Sequence, residues 1–400
     1  MIKNNYLSES KRVIFYKLGT FLPITETWIY EQLINLKIYE PVVYCYGIEN
    51  KDIFPMDNIK IRSLELRKDY KKINIIINKI LKKIFGEYYY FYSNLRKDKP
   101  LLIHAHFGFS GYDFLPYKKQ IDVPLITTFY GNDLSFLPKS FPVWKKRYKQ
   151  LFEKGDLFLV EGNFMKKTLV SLGCSKDKIK VHHIGVNLKR INFAPRRLRS
   201  KQTIKILVSS SFKEKKGIPY AIEAFVNIRK LYPNKKIELT IIGDSNGNDE
   251  GKIEKKKIME LIKKHNIENS VNLLGYKPHN LFLSELYNHH IFLHPSIQAS
   301  NGDNEGGAPV SIIEASASGM PVLSTFHCDI PEVIINNDTG LLVPERDVKS
   351  LTEKLKILID NYESWESMGF KGRKHIQDNY NIEKQTIELE NIYNSILKGE

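Results

Sequence analysis

The sequence predicts an α/β protein made of two doubly wound domains and a helical C-terminal tail. Three observations carry that expectation. Short β-branched and aromatic runs alternate with segments of helical period along most of the chain. The alternation breaks once, in the polar, basic stretch 190–203 (RINFAPRRLRSKQT), and then restarts. From residue 348 onward no strand signal remains, so that end reads as helix.

Before the break, strands are expected at 12–18, 42–46, 101–106, 124–129 and 157–161. After it they are expected at 204–209, 238–242, 271–274, 291–294 and 322–324. Runs such as LLIHAH and IFLHP are continuously apolar, as suits parallel strands covered by helices on both faces. Helices lie between the strands, for example at 218–231 and 253–266. The reading gives an N-terminal Rossmann-like domain at 1–195, a second at 200–370, and a helix at 371–400 that packs back across the domain interface. Open sheets of this kind bind ligands at the carboxyl ends of their strands, so a cleft there is the expected site.

Composition narrows the function classes. Of 400 residues, 42% are hydrophobic and 12% aromatic, a packed globular chain rather than a disordered or collagenous one. Lys and Arg number 61 against 45 acids, a net charge of +16. The basic residues are scattered and form no nucleic-acid motif, so nucleic acid is not an expected partner. Cys45, Cys174 and Cys328 make no CxxC pair and read as reduced thiols. No apolar run approaches the roughly 18 to 20 residues of a membrane span, and MIKNNYLSESKR lacks the apolar core of a signal peptide. The expectation is a soluble, cytoplasmic protein. Segment 66–99 carries ten basic residues against three acids, with isoleucines at helical spacing and an aromatic group at 88–92. Such a helix can lie on an anionic membrane, or be an ordinary surface helix with its isoleucines in the core.

The most informative stretch is 301–319, NGDNEGGAPVSIIEASASG. Gly306 and Gly307 make a loop of little bulk, and Pro309 suits the first turn of a helix. The helix that follows is apolar and small-sided except for Glu314, a carboxylate that needs a cation or a hydroxyl-bearing ligand if buried. Free N–H groups at a helix start form a phosphate site, and Glu305 lies just upstream. Two acids around a helix N-terminus suit a phosphorylated ligand rich in hydroxyls, such as a sugar nucleotide. An internal salt bridge for Glu314 and a solvated Glu305 would also fit. No Asp-x-Asp occurs, so a metal ion is not expected; GxGxxG and GxxxxGK[ST] are absent as well, which disfavours dehydrogenase and P-loop chemistry.

The segments EGGAPVSIIEASASGMPVLSTFHCDIPEVI (305–334) and TGLLVPERD (339–347) resemble the nucleotide-sugar region of family 4 retaining glycosyltransferases of the GT-B fold. Further pieces agree in order: LPITETW (22–28), IHAHFG (103–108), TTFYGNDLS (127–135), VHHIGVNL (181–188), FKEKKGIPYAIEAF (212–225), IIGD (241–244), LLGY (273–276) and LHPS (293–296). The likeness spans nearly the whole chain, closest in character to the branch that builds bacterial capsule, exopolysaccharide or O-antigen units. It implies transfer of a sugar from a UDP- or GDP-sugar to an oligosaccharide or polyprenyl-diphosphate-linked acceptor, without a metal and at the cytoplasmic membrane face. A sugar-nucleotide epimerase of the same fold, or a non-catalytic carbohydrate-binding homologue, remains an alternative.

By the same resemblance Glu305 contacts the transferred sugar and Glu314 the ribose hydroxyls. Gly306, Gly307, Ala308, Pro309 and Val310 meet the sugar and diphosphate, Lys216 neutralises the diphosphate, and Gly243, Gly275 and Tyr276 adjoin the nucleoside. Three features depart from the family pattern. Glu305 and Glu314 are nine positions apart where eight is usual, and the usual Gly-Arg before the lysine is Ser210-Ser211. Lys213 or Lys215 would then stand in for the arginine, as point charges without its bidentate fork. Finally, Tyr130 replaces a histidine before Gly-x-Asp, and a phenol is a poor base at neutral pH. On the acceptor side the candidates are Gly19 and Thr20 after the first strand, Thr25 and Glu26 at a helix start, His104 and His106 on one strand face, and Asp133.

Overall fold

The computed structural model describes residues 11–23, 26–57, 59–65, 76, 80–84, 88–199 and 202–399. Thr25, the N-terminal ten residues and much of the basic segment 66–99 lie outside that set. The chain forms two compact units. One comprises the residues up to Val160, Lys166–Gly185 and those from Ile382 onward; the other comprises Glu161–Met165 and Val186–Asn381.

The first unit is built on a seven-stranded, wholly parallel sheet. Its strands are β1 (Arg12–Phe21), β2 (Glu40–Ile48), β3 (Lys60–Ser63), β4 (Leu102–His106), β5 (Leu125–Thr128), β6 (Leu157–Val160) and β7 (Ile179–Val181). They run in the order 3-2-1-4-5-6-7, so strand order reverses between β1 and β4. The second unit holds a six-stranded parallel sheet of β8 (Ile204–Ser209), β9 (Ile237–Ile242), β10 (Val271–Gly275), β11 (Ile291–His294), β12 (Val322–Thr325) and β13 (Leu341–Val343). Its order is 10-9-8-11-12-13, reversing between β8 and β11. Both are doubly wound sheets, and each reversal leaves a crevice at the strands' carboxyl ends where loops part to opposite faces.

The apolar runs of the second unit have a direct structural cause. Along β8, Ile204, Ile206 and Val208 enter one core while Leu207 enters the other; on β11, Ile291 and Leu293 oppose Phe292 in the same way. Successive side chains point to opposite faces, and both faces are dry over 206–208 and 291–293, so those runs show no alternation. The strands absent from the sequence reading, β3 and β13, each lie at a sheet edge. β3 carries Lys60 and Arg62 with three of its four residues half-buried, and β13 has three residues only, so neither writes an apolar run of useful length.

Beyond β13 the chain is helical, as Val348–Asp360, Trp365–Asn379 and Ile382–Lys398. The last of these joins the first unit. Leu389, Ile392 and Tyr393 enter its core, and the buried Glu390 carboxylate accepts the N–H groups of Lys37 and Ile38 at 2.8 and 2.6 Å. No helix among the described residues is long and apolar enough to cross a membrane.

Candidate functional site

In the second unit the crevice between β8 and β11 gathers most of the residues singled out for donor binding. The chain leaves β8 through Ser210 and Ser211, makes a 3₁₀ turn at Glu214–Lys216, and enters the helix Ile218–Leu231 through Gly217. Gly217 adopts φ +65°, and a Cβ there would lie 1.9 Å from the carbonyl oxygen of Pro295. Only glycine lets the turn press against the end of β11. The backbone N–H of Ile297 donates to the carbonyl of Lys215 at 2.9 Å and fastens the two loops together.

Two consecutive lysines then clamp the loop after β11. Lys215 Nζ donates to Asp303 Oδ1 at 3.2 Å and to the Asn304 carbonyl at 2.8 Å. Lys216 Nζ donates to Glu305 Oε2 at 2.8 Å, with side chains 16% and 5% exposed. Ser296 Oγ donates to the other carboxylate oxygen, Oε1, at 2.8 Å. That leaves the hydroxyl to accept from His294 Nδ1 at 2.9 Å. The N–H of Glu305 meets His327 Nε2 at 3.3 Å, so the ring proton sits on Nδ1, which donates to Glu345 Oε1 at 2.6 Å. Burial works against the charged form of Glu305, but Lys216, and after it Lys215, overrides burial and holds the carboxyl well below the usual carboxylate range. Burial, with Lys216 next, pushes His294 down to about 4, so its imidazole is neutral at physiological pH.

Past Glu305 the loop turns through Gly306, at φ +74°, whose N–H donates to Asn304 Oδ1 at 3.0 Å. A Cβ on Gly307 would collide with the Glu161 carboxylate at 1.9 Å. Pro309 precedes the helix Val310–Ala317 and its carbonyl accepts the N–H of Ile312 at 2.9 Å, while the N–H groups ahead of that one have no intrahelical acceptor. One turn in, the buried Glu314 carboxylate accepts from His279 Nε2 at 2.6 Å. His279 opens the helix His279–Asn288, directly after the loop carrying Gly275 and Tyr276. Gly243, at φ +128°, donates its N–H to the Gly275 carbonyl at 2.9 Å, and a Cβ on it would lie 1.8 Å from the Ser210 carbonyl. The ends of β8, β9 and β10 therefore converge, while Tyr276 stays 48% exposed. Ser211 and Lys213 lie half-buried in the turn after β8.

The N-terminal candidates sit at the corresponding reversal of the first sheet. Gly19, at φ +93°, occupies a register break in β1 between Lys17 and Thr20. The buried Lys17 donates to the Thr20 carbonyl at 2.6 Å and pairs with Glu26 at 2.6 Å. Burial raises the Glu26 carboxyl, and Lys17 opposes the shift. His104 and His106 are fully buried and stacked at 4.3 Å between ring centroids. His104 contacts the Tyr393 and Thr128 hydroxyls, each at 2.6 Å, and His106 Nδ1 lies 2.7 Å from the Tyr130 hydroxyl. Asp133 is buried too: its Oδ2 accepts the N–H of Gly108 at 2.7 Å and its Oδ1 that of Tyr130 at 2.9 Å. Burial pushes its carboxyl up to about 6. Asp133 thus ties the loop that carries Tyr130 to the chain at Gly108.

The buried histidines give a stability signature. Burial pushes His106 down to about 3 and holds His104 well below its ordinary value. Between those values and about 6.5 the unfolded chain binds more protons than the folded one, so stability is full above pH 6.5 and falls with acidification. The expected loss is about 1.4 kcal/mol per pH unit for each histidine that stays neutral. The raised carboxyls of Asp133 and Glu26 oppose this over the same window, so urea midpoints taken from pH 7 down to pH 4.5 should fall by less than the histidines alone would give, and midpoints that rise with acidification would contradict the burial.

Several contributors were not singled out in the sequence: Ser296, His327, His279, Asp303 and Lys17. Lys17 left a trace, as a cation inside the otherwise uncharged run VIFYKLGTF. His279 left none, because its loop carries no periodic signal. Among the described residues no three His, Cys, Asp or Glu side chains cluster as a metal site requires.

Comparison with known proteins accords with this geometry. The profile of the group 1 glycosyl transferases matches residues 190–375, and that of Glycosyltransferase Family 4 matches residues 39–190. The chain belongs to glycosyltransferase family 4. Among curated relatives of this family 4 member, the putative colanic acid biosynthesis glycosyltransferase WcaL of Escherichia coli K12 is 32% identical over 254 residues, covering 63% of this chain and 59% of that one. The amylovoran biosynthesis glycosyltransferase AmsK of Erwinia amylovora is 34% identical over 249 residues, covering 62% and 58%. The matched stretches thus span under two thirds of each relative's length. Among solved structures, sucrose-phosphate synthase of Thermosynechococcus elongatus superposes with a TM-score of 0.76 at 16% identity, covering 98% of this chain and all of that one. HepE of Anabaena, solved with UDP and glucose, gives 0.75 at 14% identity, covering 96% of this chain and all of that one. The family 4 member therefore has the GT-B fold, with its two Rossmann-like units.

Proposed function

We propose that this chain transfers a sugar from a nucleoside diphosphate sugar to a polyprenyl-diphosphate-linked oligosaccharide, with retention at the anomeric carbon, in building a cell-surface polysaccharide. The observation that carries the reading is the Lys216–Glu305 pair, held at the β8/β11 reversal four residues ahead of the helix led by Pro309. WcaL and AmsK, named for exopolysaccharide synthesis, and HepE, solved with UDP and glucose, support it.

In this reading the second unit binds donor. An ammonium has three N–H donors, and Lys216 places one on Glu305, leaving others for a diphosphate oxygen. The N–H groups opening the helix Val310–Ala317 add a dipole aimed at the same phosphates. As the anomeric bond to the β-phosphate oxygen breaks, negative charge grows on that oxygen, where a fixed cation and amides stabilise it most. Glu305, held ionised by its neighbours, accepts a hydroxyl of the transferred sugar, and Glu314 accepts from the ribose. The chain supplies no general base: the departing phosphate takes the acceptor hydroxyl's proton on the face that the acceptor enters.

The first unit binds acceptor around Gly19, Thr20 and Tyr130. His104, His106 and Asp133 support that loop from beneath, and Lys17 ties Glu26 to Thr20. A lipid-linked acceptor places the protein peripherally on the anionic cytoplasmic face of a membrane. Thermal melting in the presence of UDP-, GDP- and dTDP-sugars, followed by assay of nucleoside diphosphate release with lipid-linked acceptors, tests the reading. One donor class should raise the melting temperature, since a ligand at 100 times its Kd adds about 2.7 kcal/mol to stability. Absence of any shift together with absence of release would overturn it.

A further inference from the structure

A strongly charged surface of the first unit takes no part in the chemistry above. The helix Val143–Lys154 packs Tyr148, Leu151 and Phe152 into the unit and turns its other face outward. That face and the short helix Phe136–Ser140 before it carry Lys139, Lys145, Lys146, Arg147, Lys149 and Lys154 against a single acid, Glu153. Among the described residues none of the six cations makes an ion pair. Arg147 instead stacks over the Trp144 ring at 4.7 Å. At the helix start the chain exposes three consecutive apolar residues, Phe141, Pro142 and Val143, with Phe141 and Val143 at 52% and 51%.

We propose that the Phe141–Pro142–Val143 turn and the cationic face of the helix Val143–Lys154 together dock this chain on an anionic lipid bilayer. The proposal deepens the membrane placement made above and rests on it, but not on the donor chemistry. Charge complementarity names the partner's sign: five unneutralised cations along the helix, with Lys139 ahead of it, hold a repulsion that anionic headgroups relieve. The apolar knuckle names its kind. A nucleic acid would answer the charge and leave Phe141 and Val143 in water, whereas a bilayer takes cations at its headgroups and an aromatic tip at the acyl boundary. Trp144, half-buried behind that tip, has the amphipathic ring that favours such an interface. The docked helix would also lie close to the acceptor loop, because the Tyr148 hydroxyl donates to the Asp133 carbonyl at 2.7 Å.

Sedimentation of the full chain with vesicles, in the absence of any sugar nucleotide, tests the surface. With phosphatidylglycerol mixed into phosphatidylcholine the protein should pellet; with phosphatidylcholine alone, or in high salt, it should remain in solution. The K145E/K146E/K149E variant and the Phe141→Ser/Val143→Ser variant should each lower partitioning by about tenfold or more. Both change exposed positions, so unaltered melting temperatures confirm intact folds. Three results overturn the proposal: wild type that ignores phosphatidylglycerol, either variant pelleting like wild type, or tight binding to a DNA duplex without binding to vesicles. Vesicle binding that fails while nucleoside diphosphate release persists would remove this surface and leave the donor site standing.

Discussion

Replacing Lys216 by alanine lowers kcat/KM for the sugar nucleotide about 10²- to 10³-fold, the scale seen when a preorganised partner of developing charge is removed. A second effect accompanies it. Glu305, buried and holding its charge through Lys216, is left without its cation, and removing one partner of a buried pair costs about 3–5 kcal/mol. Loss of rate and loss of fold must therefore be separated. The double variant Lys216→Met/Glu305→Gln replaces the ion pair with a neutral pair of similar volume and should recover most of the stability. Its rate should stay low, because no cation then faces the leaving phosphate and only the amides at the helix start remain. Steady-state nucleoside diphosphate release beside urea denaturation, on the wild type, Lys216→Ala and the double variant, reads both quantities. A double variant that regains the rate would make Lys216 a structural residue and withdraw the site assignment.

Glu314→Ala should act on binding instead. A hydrogen bond to a charged group contributes about 1.5–3 kcal/mol, which corresponds to a rise of roughly 10- to 100-fold in donor KM. Ribose hydroxyls lie remote from the breaking bond, so kcat should change much less. Stability should change little, because the partner His279 is 34% exposed at its side chain and can turn to water once the carboxylate is gone. Equal losses in kcat and kcat/KM would place Glu314 at the reacting centre rather than at the ribose. Unchanged donor affinity in both Lys216→Ala and Glu314→Ala would remove the pocket altogether.

How much was legible in advance differs between elements. β8, β9, β11 and β12 were legible because their two dry faces write contiguous apolar runs, whereas β3 was not, being half-buried and carrying Lys60 and Arg62, nor was β13, with three residues only. The glycines at 306 and 307, Pro309 and the lone acid of the following helix stood out because they interrupt an apolar context. Asp133 stood out as a polar residue after a strand, yet the role that its position suggested was contact with acceptor. The folded chain turns both of its oxygens to backbone amides, a commitment that only the return of the loop onto Gly108 creates.

By itself the sequence determined the layered α/β class, the restart of the pattern after residue 203 and the chemical character of the loop at 301–319. Each of these is written in near neighbours, through periodicities of about two and 3.6 residues and through local turn chemistry. Tertiary structure alone decided the partnerships. Lys216 meets Glu305 across 89 positions because the second sheet sets β8 beside β11, and His279 reaches Glu314 across 35. The last helix closes the first unit through Tyr393 on His104, 289 positions away. Strand order is a property of how whole layers pack, and a periodic signal that extends over a few residues carries no record of it.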